Sequence, residues 1–324
     1  MMMKSFNSFM DGIIDYAGMF PPANLALTPA FRNYLEYIAS DDEWMMDKFV
    51  CTMKSFKLFQ DNASDVYKLL KDYDSERRVS FSLLLTGGAS AKEFMKSLEE
   101  DLKLVKEFTG NNNNVQANSF EVRLPNELFD KFNTHGLKTF LNECNDMLNG
   151  FDMQESMIFF EPLVNANYEF VFEKLAHTSA DFKSKAGFKL RTGGITPELF
   201  LSTWQVSYAL KTCRDNNVRF KATAGLHHPV RHYNDSVSTK MHGFLNIFGA
   251  GILAFSNQLS LKEINDVVKD ERAESFIFTE EEIKWNDIPA NADSVSKARK
   301  EFVNSFGSCS FDEPKDDLKQ LNLL

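Results

Sequence analysis

The stretch FKATAGLHHP, residues 220–229, opens as a buried strand, yet its second residue is a lysine and it ends on glycine and two histidines. One segment earlier the chain repeats the form as FKLRTGG, residues 188–194. In each, the lysine follows a phenylalanine and stands four residues before a glycine. Side chains alternate along a strand, so Phe188 and Leu190 face one way and Lys189 and Arg191 the other. Phe220 and Ala222 likewise oppose Lys221 and Thr223. If the apolar set packs on helices, both lysines point inward from neighbouring strands.

Outward from this pair, five more short apolar runs read as strands: 12–18, 48–55, 78–86, 118–124 and 156–162. They are rich in Val, Ile and Phe and mostly end in Gly, Pro or Thr. Amphipathic helical patterns separate them, at 28–40, 91–108 and 197–215; the last carries Thr196 as a candidate N-cap before Pro197. Strand starts recur roughly every 30 to 40 residues, the size of a βα unit. This predicts an α/β fold closed as a (β/α)8 TIM barrel in one domain, 1–324. An open doubly wound sheet is the competitor, but no G-x-G-x-x-G follows the first strand. The eighth strand falls either at 274–285 or at 305–311, before a short last helix. In the second case a β-hairpin insertion is expected near 274–285.

Composition narrows the function. Apolar residues make up 43% of 324, enough for a large core, and the 31 phenylalanines read as core filling. A net charge of -10 disfavours a nucleic-acid partner while leaving room for a local anion pocket. The four cysteines, Cys51, Cys144, Cys213 and Cys309, are widely spaced, which fits a reducing compartment. The start is broken by Asp11 and Asp15 and does not read as a signal peptide. The most apolar run, 243–255, is too short to span a bilayer and holds Asn246. A cytoplasmic protein without a membrane partner is expected; its oligomeric state is open.

In a barrel, reacting groups gather at the C-terminal strand ends. Those positions supply Asp15 and Tyr16, Thr86, Gly87 and Gly88, Arg123, Glu161, Lys189, Arg191, Gly193 and Gly194, then Lys221, Thr223, Gly225, His227 and His228. Two ammonium groups side by side in a partly dry cavity repel each other and lose hydration, and both effects lower a lysine pKa. Such a lysine can attack a carbonyl and form a Schiff base. The iminium is an electron sink, so an adjacent carbon–carbon bond can break. Glu161, or else His227, is the candidate proton carrier.

The lysine pair resembles that of the deoxyribose-phosphate aldolases, which are class I aldolases. They carry a sixth-strand lysine in a K-x-x-T-G context and a seventh-strand lysine in a K-x-x-G-G context. The resemblance implies Lys189 as Schiff-base nucleophile and Lys221 as the neighbour that lowers its pKa, with no cofactor. The strings DYAGMFPPA, RTGG, KATAGLHHP, MHGFLN and GSCSFDEP are also similar to those of a bacterial barrel family. Two features depart from the aldolases. Arg191 stands where they have a small residue, and no glycine-rich phosphate loop follows the eighth strand. A small carboxylate or free sugar is therefore expected as substrate, with Arg191 and Arg123 suited to grip a carboxylate. Thr223, His228 and the backbone of Gly193 and Gly194 complete the expected binding set.

Other chemistries compete. His227, His228 and His232 with Glu161 could hold a divalent metal for a hydrolase or isomerase; His228 and His232 share a face if a helix starts at Pro229. The charges could also simply balance one another in a barrel that binds a small acid without turnover. Cys309 reads as a small packing residue, and the FPP at 20–22 as a plain turn.

Overall fold

The structure is a computed structural model that describes residues 3–73, 77–130, 136–164, 167–182 and 185–324. Eight parallel strands close into a barrel: β1 (Ile14–Tyr16), β2 (Met46–Thr52), β3 (Val79–Leu84), β4 (Val115–Arg123), β5 (Met157–Glu161), β6 (Ala186–Arg191), β7 (Phe220–Thr223) and β8 (Val303–Ser308). Each pairs with its neighbours in sequence, and β8 closes the ring by pairing β7 and β1. The eighth strand is thus the later of the two candidates. Residues 276–291 instead form an antiparallel three-stranded sheet outside the barrel: Phe276–Phe278, Glu282–Trp285 and Ile288–Asn291. The expected hairpin insertion is present, with one strand more.

Local sequence explains the elements that surround the barrel. The helix Ala91–Gly110 buries Phe94, Leu98, Leu102 and Val105, three or four residues apart, and Ser90 caps it by accepting from the Glu93 N–H at 3.2 Å. The helix expected from Pro197 starts later. Pro197–Leu199 is a single 3-10 turn, and the α-helix runs Thr203–Asp215. Ser202 and Gln205 form a reciprocal capping box there, whereas Thr196 makes no side-chain cap bond to the turn it precedes. The apolar run after residue 243 is a buried helix, Phe244–Asn257, packed against the barrel through Phe244 and Phe306, ring centroids 5.2 Å apart. Among the described residues no helix is long and apolar enough to cross a membrane.

The strand parity read from the two FK segments holds. Phe188 and Phe220 lie on the helix side, stacked 6.4 Å apart, with Phe172 of the helix Tyr168–Ser179 edge-on to Phe188. Lys189 and Lys221 are register partners on β6 and β7, and both are buried, at 5% and 1% exposure. Barrel interiors are usually filled by branched apolar side chains. This one carries charge at its centre.

Candidate functional site

Glu121 on β4 joins the two lysines. Its Oε2 is 2.9 Å from Lys189 Nζ, and its Oε1 is 2.6 Å from Lys221 Nζ. Lys189 also meets Glu161 Oε2 at 2.9 Å. Lys221 also meets Asp15 Oδ2 at 2.6 Å and donates to Ser82 Oγ at 3.0 Å. The outer members are held in turn. Asp15 accepts from Ser305 Oγ at 2.7 Å and from the Lys48 N–H at 3.1 Å. Ser82 donates to Glu121 Oε1 at 2.7 Å. A buried polar network is stable only when its members satisfy one another, and these do.

The floor of the network is aromatic. Lys221 Nζ sits 5.5 Å from the centre of the Phe159 ring. That ring occupies the space left by Gly187 on the adjacent strand, where a Cβ would lie 2.6 Å from Phe159 Cδ1.

The electrostatics correct one expectation. Burial pulls the pKa of Lys189 down, but Glu121 and Glu161 outweigh it and raise the pKa above the ordinary lysine range. Lys221 is raised in the same way by Asp15 and Glu121. Burial pushes the Glu121 carboxyl up, and the two ammonium groups, with hydrogen bonds from Lys221 and Ser82, more than reverse this and hold it well below the usual carboxylate range. The lysines therefore do not lower each other's pKa in the resting protein, because a carboxylate stands between them.

The other expected site residues separate into two groups. Arg123 ends β4 and Arg191 ends β6, one strand to either side of Glu161 at the end of β5, and both arginines are exposed. Thr223, half-buried at the end of β7, accepts through its carbonyl from the Thr192 N–H at 2.9 Å. Gly193 and Gly194 are packing positions: a Cβ at 193 would lie 2.6 Å from the Phe200 ring, and one at 194 would lie 2.5 Å from Leu199. Gly225 adopts φ +74°, and a Cβ there would lie 2.9 Å from the same Phe200 ring.

The histidines do not gather as ligands. His228 Nδ1 pairs with Asp317 Oδ2 at 2.5 Å, and His232 Nδ1 pairs with the Val230 carbonyl at 3.0 Å. No helix starts at Pro229; the chain enters a two-stranded hairpin, His232–Asn234 and Thr239–Met241. His227 lies beside Cys309 and Glu313. Burial pushes its pKa down, and contacts with Cys309 and Glu313 overcome this and raise it to about 9. Among the described residues no three His, Cys, Asp or Glu side chains form a metal-ligand set, so the set of His227, His228, His232 and Glu161 is not assembled.

Two central residues were missed from the sequence. Glu121 lies two positions before Arg123 and shares its inward parity, which is the signal that marks it. Ser82 carries no such signal. Asp15 was noted at a strand end without a partner.

No family model matches the chain, and no curated protein matches it in sequence. Solved structures similar to it include QR15, an aldolase, at TM-score 0.40 and 12% identity over 68% of this chain and 83% of that one. Another is a deoxyribose phosphate aldolase from Aeropyrum pernix, of unique tetrameric structure, at TM-score 0.48 and 10% identity over 98% of this chain and 96% of that one.

Proposed function

We propose that the protein is a carbon–carbon lyase of the Schiff-base type, acting on a small anionic carbonyl compound and needing no cofactor. The observation that carries this reading is Lys189, an interior lysine held between Glu121 and Glu161 near the C-terminal end of the barrel. Of the two lysines, Lys189 is the nucleophile in this reading. Lys221 is enclosed by Asp15, Glu121 and Ser82. The second partner of Lys189, Glu161, is the more open carboxylate, with its side chain 15% exposed.

An ammonium attacks nothing, so the amine must first lose a proton. Glu121 is the poorer acceptor, since Lys221 stabilises its charged form. Glu161 contacts Lys189 directly and takes the proton. The free amine then adds to the carbonyl carbon, Glu161 returns the proton to the oxygen, and water leaves to give the iminium. Glu161 next removes the β-hydroxyl proton, the carbon–carbon bond breaks into the iminium, and an enamine remains. Protonation at carbon and addition of water release the second product and Lys189.

The charge balance supports the same orientation. Three carboxylates, Asp15, Glu121 and Glu161, face two ammonium groups. That excess stabilises an iminium cation and repels an anionic tail. The tail is directed to Arg123 and Arg191 at the mouth, where a guanidinium can grip it with two parallel hydrogen bonds.

The test is deuterium exchange. With a panel of small ketones and aldehydes in heavy water, this reading expects enzyme-dependent loss of α-proton signals by NMR, abolished in Lys189→Ala. The resting ion pairing of both lysines favours a second reading, a barrel that binds a small acid without turnover. That reading expects saturable binding and no exchange.

A further inference from the structure

Cys309 differs from the other three cysteines of the chain. Cys51, Cys144 and Cys213 are fully enclosed, and burial pushes each thiol well above its ordinary range. Cys309 follows β8 directly, at the face of the barrel where Lys189 and Glu161 lie, and is 7% exposed. Its sulfur is 3.6 Å from His227 Nδ1 and 4.0 Å from Nε2. Glu313 Oε2, in the first turn of the helix Asp312–Gln320, stands 3.4 Å from the same Nδ1.

Sulfur and carboxylate both meet the ring at Nδ1, and an imidazolium in contact with a thiol favours the thiolate over two neutral groups. Contacts with Cys309 and Glu313 favour positive charge on the ring, which lies against the sulfur. The lyase reading does not use this cluster, and the cluster does not depend on that reading.

We propose that Cys309 is a modification site, a thiolate held by His227 at the barrel mouth that reacts with small soft electrophiles, hydroperoxides among them. With a hydroperoxide, the sulfur attacks the terminal oxygen. The S–O bond forms as the O–O bond breaks, and the departing alkoxide or hydroxide takes the His227 proton. Sulfur is oxidised by two electrons to a sulfenic acid and the peroxide is reduced by two.

The experiment uses the full chain with limiting iodoacetamide at about pH 6.5, where free thiols are mostly protonated, and peptide mass mapping of all four cysteines. Alkylation forms S–C, breaks C–I and releases iodide. The expected result is that Cys309 reacts about tenfold faster than glutathione in the same tube despite its burial. His227→Asn slows it about tenfold, and so, less strongly, does Glu313→Gln, a change on a half-exposed side chain that leaves the fold intact by circular dichroism. Hydrogen peroxide with dimedone is expected to tag Cys309 alone. Reaction slower than glutathione, a rate indifferent to both substitutions, or absence of the dimedone tag overturns the proposal.

Discussion

Glu121 and Lys189 form the central ion pair of the barrel, 2.9 Å apart, and the other oxygen of the same carboxylate holds Lys221 at 2.6 Å. One carboxylate thus separates two buried ammonium groups. Glu121→Gln keeps the shape and removes the charge, leaving the lysines to repel each other across a neutral amide. The expected loss is about 3 to 5 kcal/mol of stability, the cost of breaking a buried pair from one side. Urea unfolding of the variant and the parent measures it.

The pH dependence of stability follows from the same contacts. The folded pKa of Lys189 and Lys221 is raised, so their contribution is complete below the unfolded lysine value of about 10.4 and disappears as pH rises through the higher folded values. The folded pKa of Glu121 is depressed, so its contribution is present above the unfolded value of about 4.3 and is lost only as pH falls through the lower folded value. The parent is expected to keep these contributions between those limits, and Glu121→Gln to lose stability at less alkaline pH than the parent. Thermal melts across the alkaline range report this.

Gly187 is the structural counterpart of Phe159. Gly187→Ala puts a methyl 2.6 Å from the ring that floors the lysine pair. The ring must shift, and overpacking of this kind costs about 1 to 3 kcal/mol. Denaturant midpoints measure the cost. Reduced reactivity of Lys189 toward a carbonyl probe is expected to accompany it, because the shifted ring presses on the network.

Much of this was legible in the sequence, for reasons specific to particular residues. FKLR and FKAT declare their parity, because adjacent residues on a strand face opposite ways, and packing the phenylalanines on helices turns both lysines inward. The recurring βα spacing implied the closed sheet. The competition between 274–285 and 305–311 was settled by pairing, since both runs are apolar and only contacts with β1 and β7 select Val303–Ser308. The Asp15–Lys221 and Glu121–Lys189 contacts cross the barrel interior, and no local pattern encodes which inward side chains meet after closure. The inferred drop in lysine pKa failed for that reason. It counted the two cations and left out the carboxylate between them. The condition under which His228 and His232 would share a helix face, a helix starting at Pro229, is not met, because the chain there enters the ladder of His232–Asn234 with Thr239–Met241.

Arg191 tests the orientation of the substrate. It is exposed at the end of β6, outside the buried network, so Arg191→Ala is expected to change stability by less than about 0.5 kcal/mol. For an anionic carbonyl substrate, KM is expected to rise about tenfold, the loss of a charge-assisted hydrogen bond in an exposed setting. For a neutral analogue KM is expected to stay the same. Steady-state kinetics on a matched acid and amide pair separates the two.

The most direct measurement is borohydride trapping at Lys189. The protein is incubated with a panel of small aldehydes and ketones, reduced, digested and mapped by mass. A covalent adduct on Lys189, absent from Lys221 and lost in Glu161→Gln, is the result this account predicts. An intact Lys189 across the whole panel, or an adduct placed on Lys221 instead, would contradict it.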